Sequence, residues 1–246
     1  MNDIEAQYNA MAPMYSFLMN DEINISTFQE VLGNRLTELP EDANILDCAC
    51  GTGLHAIWFA QKGFHVYASD ISKGMLKEAR KNAVKKNVRI NFLQSSWEDL
   101  YKKLPLQFDF VVCYGNSFSH MKNPDMLRNS LASIRKILKP GSPFLFDVRN
   151  WENDFKHPSQ APSRLKKTIN GKKIEIDYSW KLNGWNVKCQ FITQIYDRKN
   201  DVTRKYECDI YPIKYEKIAE ACKRNGFNQV DRNFFRKGEY YYVFAI

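Results

Sequence analysis

Acidic, glycine and aromatic residues recur where the apolar runs of the first hundred residues end. Asp47 ends a run that begins at Ile45, and Gly51-Thr52-Gly53 follows it. Asp70 lies at the end of a second run, 19 residues after Gly51, and Ser96-Trp97 follow a third. Glycines let a ligand approach the backbone closely, a carboxylate accepts hydrogen bonds from ribose hydroxyls, and an indole suits an adenine ring. These residues indicate a site for a nucleotide-like ligand.

The glycine turn alone leaves the class of ligand open. Residues 51–56 fit the relaxed dinucleotide fingerprint G-x-G-x-x-A. Asp47 would repel a diphosphate at this turn, and Trp97 suits an adenine ring better than a phosphate. Asp70 is placed to hold a ribose in either ligand class. The set therefore favours a ligand other than a dinucleotide.

An alternation of strands and helices must position these residues. The apolar pattern predicts strands over 44–49, 64–69, 89–94, 108–113 and 143–148, and helices over 54–62, 72–86 and 124–138. Gly63, Asn87 and Gly141 mark helix ends, whereas Ser72 and Asn123-Pro124 mark helix starts. Five parallel strands form a doubly wound core, which binds ligands at the carboxyl ends of its strands.

The segment before this core, residues 1–40, reads as two helices. The first carries Tyr8 and Tyr15 among several methionines, and it suits either a helix that packs on the sheet or a flexible lid over a ligand.

The segment after the core changes its period to about two. Asn170-Gly171 and Asn183-Gly184 lie between apolar-alternating runs and predict an antiparallel meander over about 163–211. A helix over 215–223 and a strand pair around Lys237-Gly238, over 227–235 and 240–246, are predicted to complete the sheet.

Composition limits the class of protein. A chain of 246 residues that is 44% hydrophobic can form one α/β domain, and no apolar run reaches the roughly 20 residues of a membrane span. The N-terminus lacks the pattern of a signal peptide, so we expect a cytoplasmic protein. The six cysteines form no C-x-x-C pair and read as reduced packing residues.

The net charge of +8 is concentrated in the C-terminal part. Residues 151–246 carry 19 Lys and Arg against 12 Asp and Glu, but these bases are scattered singly and in pairs. We therefore expect a solvated polar face and do not expect nucleic acid as a partner.

An ordered series of motifs resembles the class I S-adenosylmethionine-dependent methyltransferases. The series comprises Asp47-Cys48-Ala49-Cys50-Gly51-Thr52-Gly53, Asp70, Met75, Trp97 and Leu138-Lys139-Pro140-Gly141. Gly115-Asn116-Ser117-Phe118-Ser119-His120 and Asp147-Val148-Arg149-Asn150 further resemble the glycine and glycine/sarcosine N-methyltransferases. Gln7-Tyr8 and Tyr211-Pro212 extend this resemblance over nearly the whole chain.

The resemblance implies a fold and its parts. It implies an α/β, doubly wound, Rossmann-like sheet of seven mostly parallel strands, with an inserted antiparallel meander. A single domain over 1–246 would comprise a helical lid (1–40), a cofactor-binding core (41–150), a substrate cap (151–212) and a closing helix and strand pair (213–246).

The resemblance also implies residue roles. Cofactor-binding roles fall on Tyr8, Tyr15, Asp47, Ala49, Gly51, Gly53, Asp70, Met75, Ser96, Trp97 and Tyr114. Asn116 and Arg149 would bind and align the acceptor, because a guanidinium can hold a carboxylate bidentately and an amide carbonyl can orient an amine. Family members often meet the cofactor carboxylate with an arginine in the entry segment, and residues 19–30 contain none.

Several of these residues have a second reading. Arg149 could pair with Glu152 or another neighbouring acid, and Trp97 could belong to the core. His120 could contact the substrate as a general base, or it could cap or pack a helix start. Tyr211 suits packing and substrate contact about equally.

The resemblance implies N-methylation of a small carboxylate-bearing amine such as glycine or sarcosine. S-adenosylmethionine would be the cofactor and S-adenosylhomocysteine its product, with no metal. The alternatives are another metabolite or natural product as acceptor, an RNA- or protein-directed enzyme suggested by the basic C-terminal part, and a non-catalytic cofactor-binding or regulatory subunit. We expect a monomer or a homodimer.

Overall fold

The computed structural model describes residues 3–18, 21–158, 163–169, 172–197, 202–235 and 239–246. The helices are α1 (Asp3–Leu18), α2 (Asp21–Leu32), α3 (Leu54–Gln61), α4 (Lys73–Lys85), α5 (Leu100–Lys103), α6 (Pro124–Ile137), α7 (Trp151–Lys156) and α8 (Tyr215–Arg224). The strands are β1 (Asn44–Asp47), β2 (His65–Asp70), β3 (Asn91–Gln94), β4 (Phe110–Cys113), β5 (Phe144–Arg149), β6 (Ser163–Ile169), β7 (Lys172–Lys181), β8 (Cys189–Asp197), β9 (Val202–Ile210), β10 (Val230–Phe235) and β11 (Tyr240–Ala245).

Seven strands form the main sheet in the order β10-β11-β5-β4-β1-β2-β3. All neighbouring pairs from β5 to β3 are parallel, and β11 runs antiparallel to both of its neighbours. Asp47 on β1 is in register with Ala68 on β2 and Val112 on β4, so these strands end at one edge. The strand order reverses at β1, which is where such sheets bind ligands. The predicted doubly wound sheet is confirmed.

The sheet is buried on both faces because successive residues of a strand point to opposite sides. Leu46 packs with Leu131 and Ile134 of α6 on one face. Ile45 packs with Phe28 of α2 and Phe59 of α3 on the other. Parallel strands that are buried on both faces have continuous apolar sequences, which explains why these strands could be predicted.

Helix starts follow the predicted capping residues. The Ser72 hydroxyl accepts the Met75 N–H at 3.0 Å, and the Asn123 side chain accepts the Met126 N–H at 2.8 Å. The six-residue helix α7 was not predicted. Asn150 caps it by accepting the Asn153 N–H at 3.2 Å.

Four antiparallel strands form a second sheet in the order β6-β7-β8-β9. Ile176 and Ile195 of this meander pack against Met11 and Leu18 of α1. Asn183-Gly184 lies between β7 and β8 as predicted, whereas Asn170-Gly171 and Lys237-Gly238 lie outside the described residues.

The six cysteines are free and buried, as expected for packing residues. In the part of the chain that the structure describes, no helix has the length and apolar character needed to cross a bilayer.

Candidate active site

A cavity of about 770 Å³, measured to its open mouth, lies at the carboxyl ends of β1, β2, β3 and β4. Nine residues predicted for the site line it: Tyr8, Tyr15, Ala49, Gly51, Asp70, Ser96, Trp97, Tyr114 and His120. The sequence therefore identified the elements that build the cavity.

The glycine turn forms the floor of the cavity between β1 and α3. Gly51 has φ +51° and Gly53 has φ +88°, a left-handed region that favours glycine. A Cβ on Gly53 would lie 3.2 Å from the Cβ of Ala79 on α4. Gly53 thus allows α3 and α4 to pack closely, and it does not line the cavity itself.

Asp70 is fixed by the backbone on both carboxylate oxygens. Its Oδ2 accepts the Gly51 N–H at 2.9 Å and its Oδ1 accepts the Ser72 N–H at 2.8 Å. Burial raises the pKa of Asp70 to about 6, although these two hydrogen bonds oppose the shift. Each oxygen keeps a lone pair that can accept from a ligand hydroxyl.

Asp47 is buried directly before the cavity-lining Cys48 and Ala49. Its Oδ1 accepts the Ala49 N–H at 3.3 Å, and its Oδ2 has no partner among the described residues. Burial raises the pKa of Asp47 to about 7, and the nearby Asp70 adds to the shift. A buried carboxylate oxygen without a donor fits a site whose ligand supplies one.

One wall of the cavity is aromatic. The Trp97 indole Nε1–H donates to the Cys48 carbonyl at 2.7 Å, which fixes the ring at the end of β3. Ser96 and Ile71 line the cavity beside it. Trp97 also packs at the edge of the core, so its side chain contributes both to the cavity wall and to the core.

Helix α1 covers the cavity with Tyr8 and Tyr15, whose ring centroids lie 6.2 Å apart. The Asn9 side-chain oxygen holds α1 to α4 by accepting from the Ser72 hydroxyl and the Gly74 N–H, both at 2.7 Å. The Gln7 side-chain oxygen accepts the Asp209 N–H of β9 at 3.0 Å. Helix α1 therefore bridges the core and the meander above the cavity.

Tyr8 and His120 form a hydrogen-bonded pair inside the cavity, with 2.7 Å between the Tyr8 hydroxyl and His120 Nε2. His120 Nδ1 lies 2.8 Å from the Asp209 carbonyl, which can only accept, so we assign the proton to Nδ1. Nε2 then accepts from the Tyr8 hydroxyl. Burial lowers the pKa of His120 and raises that of Tyr8, so both side chains are neutral near pH 7.

Six predicted site residues are not among the cavity-lining residues of the described chain: Asp47, Gly53, Met75, Asn116, Arg149 and Tyr211. Met75 is fully buried at the start of α4, and the Tyr211 N–H donates to the Ser119 carbonyl at 2.6 Å. The Asn116 side-chain oxygen, expected to face an amine, accepts the Arg149 N–H at 3.0 Å. Asn116 has φ +60°, and this turn directs its side chain toward β5.

The Arg149 side chain forms an ion pair within the protein. Its Nε lies 2.6 Å from Asp154 Oδ2 and its Nη2 lies 3.0 Å from Asp154 Oδ1. An ion pair with Glu152 or another neighbouring acid was the alternative interpretation of Arg149. The structure shows such a pair, and the acid is Asp154 of α7.

Sequence reasoning missed several lining residues. Ile71 and Ser117 directly follow the predicted residues Asp70 and Asn116, and this proximity could have indicated that they line the cavity. Lys122 and Met126 line the cavity from the loop before α6 and from α6 itself, and neither belongs to a recognisable motif.

Comparisons of the sequence and fold with known proteins show which family the chain belongs to. A model described as a methyltransferase domain matches residues 45–141. The putative methyltransferase YqeM of Bacillus subtilis (strain 168) is 30% identical over 194 residues, which cover 75% of this chain and 74% of YqeM. The glycine/sarcosine N-methyltransferase of Parasynechococcus marenigrum (strain WH8102) is 27% identical over 187 residues, covering 76% of this chain.

The chain spans only part of its glycine/sarcosine relatives: 64% of the Parasynechococcus enzyme and 41% and 42% of two others. The solved structure of an S-adenosylmethionine-dependent methyltransferase from Clostridium acetobutylicum ATCC 824 has the same fold. It superposes with a TM-score of 0.75 at 18% identity, over 97% of this chain and 98% of that one. This chain therefore belongs to the S-adenosylmethionine-dependent methyltransferase family.

Proposed function

We propose that this protein transfers a methyl group from S-adenosylmethionine to the nitrogen of a small amine. The observation that carries this proposal is the Tyr8–His120 pair, which lies in the same cavity as Asp70 and Trp97. One cavity thus combines groups suited to a nucleoside with a neutral pair suited to an amine.

The cavity residues fit the cofactor chemically. Asp70 would accept hydrogen bonds from the ribose hydroxyls, and Ile71, Ser96 and Trp97 would surround the adenine. Ala49 and Gly51 would line the methionine part of the cofactor, and Asp47 lies buried directly behind them. Tyr15 and the backbone at Tyr114 would line the sulfonium end.

The bound cofactor supplies an activated methyl group on a sulfonium. The protein must then exclude water, align the acceptor nitrogen with the carbon–sulfur bond and keep that nitrogen unprotonated. Helix α1 excludes water because Tyr8 and Tyr15 cover the cavity and its hydrogen bonds join the core to the meander. Alignment of the nitrogen falls to Tyr8, whose hydroxyl is oriented by its hydrogen bond to His120.

The Tyr8 oxygen donates its proton to His120 and retains lone pairs that can accept an amine N–H. This contact orients the nitrogen lone pair toward the methyl group. After transfer the nitrogen carries one proton too many. The N-methylammonium product can carry this proton out of the cavity to solvent, because the lowered pKa of buried His120 makes its imidazole a weak proton acceptor.

The sequence resemblance favours glycine or sarcosine as the acceptor, with Arg149 and Asn116 holding the amino acid. The similarity to a glycine/sarcosine N-methyltransferase supports the same class of small amine. The cover of α1 over the cavity favours a small molecule over RNA.

Purified protein incubated with S-adenosylmethionine and a panel of small amines tests this proposal. We expect S-adenosylhomocysteine to form in step with an N-methylated product. Tyr8→Phe should lower kcat by about tenfold to a hundredfold because it removes the group that orients the amine. Normal cofactor binding without methylation of any amine would contradict the proposal.

A further inference from the structure

We propose that the acceptor is a small amine without a carboxylate, because Asp154 already occupies the carboxylate-binding face of Arg149. This inference rests on the proposed N-methyltransfer and assigns its class of acceptor. It departs from the amino-acid acceptor that the sequence resemblance implies.

The Arg149–Asp154 pair has the geometry that an amino-acid carboxylate would need. Two parallel hydrogen bonds, of 2.6 Å from Nε and 3.0 Å from Nη2, join the guanidinium to the carboxylate. Such bidentate pairs are among the strongest hydrogen-bonded contacts in proteins. A carboxylate on the acceptor would have to displace Asp154 from both bonds.

The other sides of the guanidinium are also occupied. Nη1 donates to the Tyr240 hydroxyl at 3.1 Å. The rings of Trp180, Tyr240 and Trp151 surround the guanidinium carbon with centroids at 4.7, 5.4 and 5.9 Å. Only 14% of the Arg149 side chain and 18% of the Asp154 side chain are exposed, so solvent screens the pair weakly.

Helix α7 holds Asp154 in this place. Asn150 caps the helix, and its carbonyl also accepts the Asp154 N–H at 3.3 Å. Trp151 is 2% exposed and packs against Cys189 and Ile210 of the meander. The fold thus holds Asp154, five residues along the chain, next to Arg149. The effective concentration of its carboxylate at the guanidinium is high, so a carboxylate from solution competes with it poorly.

The electrostatics of the cavity point the same way. Asp70 lines the cavity, and Asp47 is buried beside it, so both would repel a carboxylate once ionised. Lys122 is the cationic residue among the described lining residues, and its Nζ lies 3.9 Å from Asp3 Oδ2. This cation therefore already faces an acid.

The acceptors glycine and glycinamide test the inference, since an amide replaces the carboxylate in the second. The glycinamide amine has the lower pKa, so kcat/KM is calculated for the unprotonated amine of each acceptor. For the wild-type protein we expect kcat/KM to be at least about tenfold higher for glycinamide. The Asp154→Asn variant frees the guanidinium fork and should shift this ratio toward glycine by about tenfold. The control Asp125→Asn removes an exposed acid that pairs with Arg128, and it should leave the ratio unchanged.

Acetate binding provides a readout that does not depend on turnover. Calorimetry should give an acetate affinity at least about tenfold higher for Asp154→Asn than for the wild-type protein. A wild-type preference for glycine, or equal acetate affinities in the two folded proteins, would overturn the inference. Turnover of glycine by the wild type would still leave the proposed N-methyltransfer standing. If Asp154→Asn does not fold, the wild-type ratio decides alone.

Discussion

Asp47 and Asp70 lie at the ends of adjacent strands, and burial raises the pKa of both carboxyl groups. Asp70 has backbone donors on both oxygens, whereas Asp47 has one oxygen without a partner among the described residues. A buried carboxylate is costly unless a partner compensates it. We infer that the free protein keeps these groups partly protonated near neutral pH.

Replacement of Asp70 by Asn should weaken binding of S-adenosylhomocysteine by about tenfold or more, because hydrogen bonds to a charged acceptor are the stronger kind. Isothermal calorimetry measures this directly. Asp125→Asn serves as the control, since Asp125 lies on the exposed surface of α6. Unchanged affinity in a folded Asp70→Asn protein would remove Asp70 from the cofactor site.

The ligand-free protein should lose thermal stability as the pH rises. A raised carboxyl pKa means that the folded state binds protons more tightly than the unfolded chain, whose carboxyl pKa is about 4. This stabilising contribution is fully present below the unfolded-state pKa. It is lost as the pH rises through the folded-state pKa values, which are about 6 for Asp70 and about 7 for Asp47.

Melting temperatures recorded between about pH 5 and pH 8 test this dependence. Asp47→Asn should reduce the slope below about pH 7 and leave the contribution of Asp70, which ends near pH 6. Saturating S-adenosylhomocysteine should stabilise the wild-type protein more at the higher pH, because its ammonium favours the ionised carboxylate. A wild-type curve that rises with pH in this window would show that other groups dominate.

At the scale of elements, the turn from β1 into α3 and the helix α1 enclose the cavity from opposite sides. The turn depends on close packing of α3 against α4 at Gly53. Helix α1 depends on polar contacts from Gln7, Tyr8 and Asn9 to three different elements. The floor of the cavity is therefore fixed by packing, and its cover is held by hydrogen bonds.

A Gly53→Ala substitution should destabilise the protein by about 1–3 kcal/mol and weaken cofactor binding. The backbone at residue 53 has φ +88°, which strains an alanine, and the new Cβ would lie 3.2 Å from the Cβ of Ala79. Gly63→Ala is a matched control, because Gly63 has φ +98° and nothing within 4 Å of a Cβ. Both variants share the backbone strain, so chemical denaturation should show a larger loss for Gly53→Ala. Equal losses would mean that the contact with Ala79 has no effect.

At the scale of the whole molecule, the sequence located the elements whose patterns are local. Buried strands such as β4 and β5 are continuous apolar runs, and capping residues such as Ser72 and Asn123 mark helix starts. Asp70 at the end of β2 and Trp97 after β3 therefore pointed to the edge of the sheet where the cavity lies. These features need no information about distant parts of the chain.

The orientation of side chains between elements could not be predicted in the same way. Arg149 was placed at the correct strand end, but its partner Asp154 lies on the short helix α7, which has too few residues for a periodic pattern. The left-handed turn at Asn116 directs its amide to the Arg149 backbone. The pair between Tyr8 and His120 joins residues 112 positions apart. Each of these contacts joins residues of two different elements, so it depends on how those elements pack together.

Transfer of an isotopically labelled methyl group tests the central claim most directly. Protein is incubated with S-adenosylmethionine carrying a carbon-13 methyl group and with the amine panel, and the product is followed by nuclear magnetic resonance. We expect the label to appear as an N-methyl signal that grows in step with S-adenosylhomocysteine. Label found on oxygen, sulfur or carbon, or retained on a cofactor that binds normally, would contradict the account.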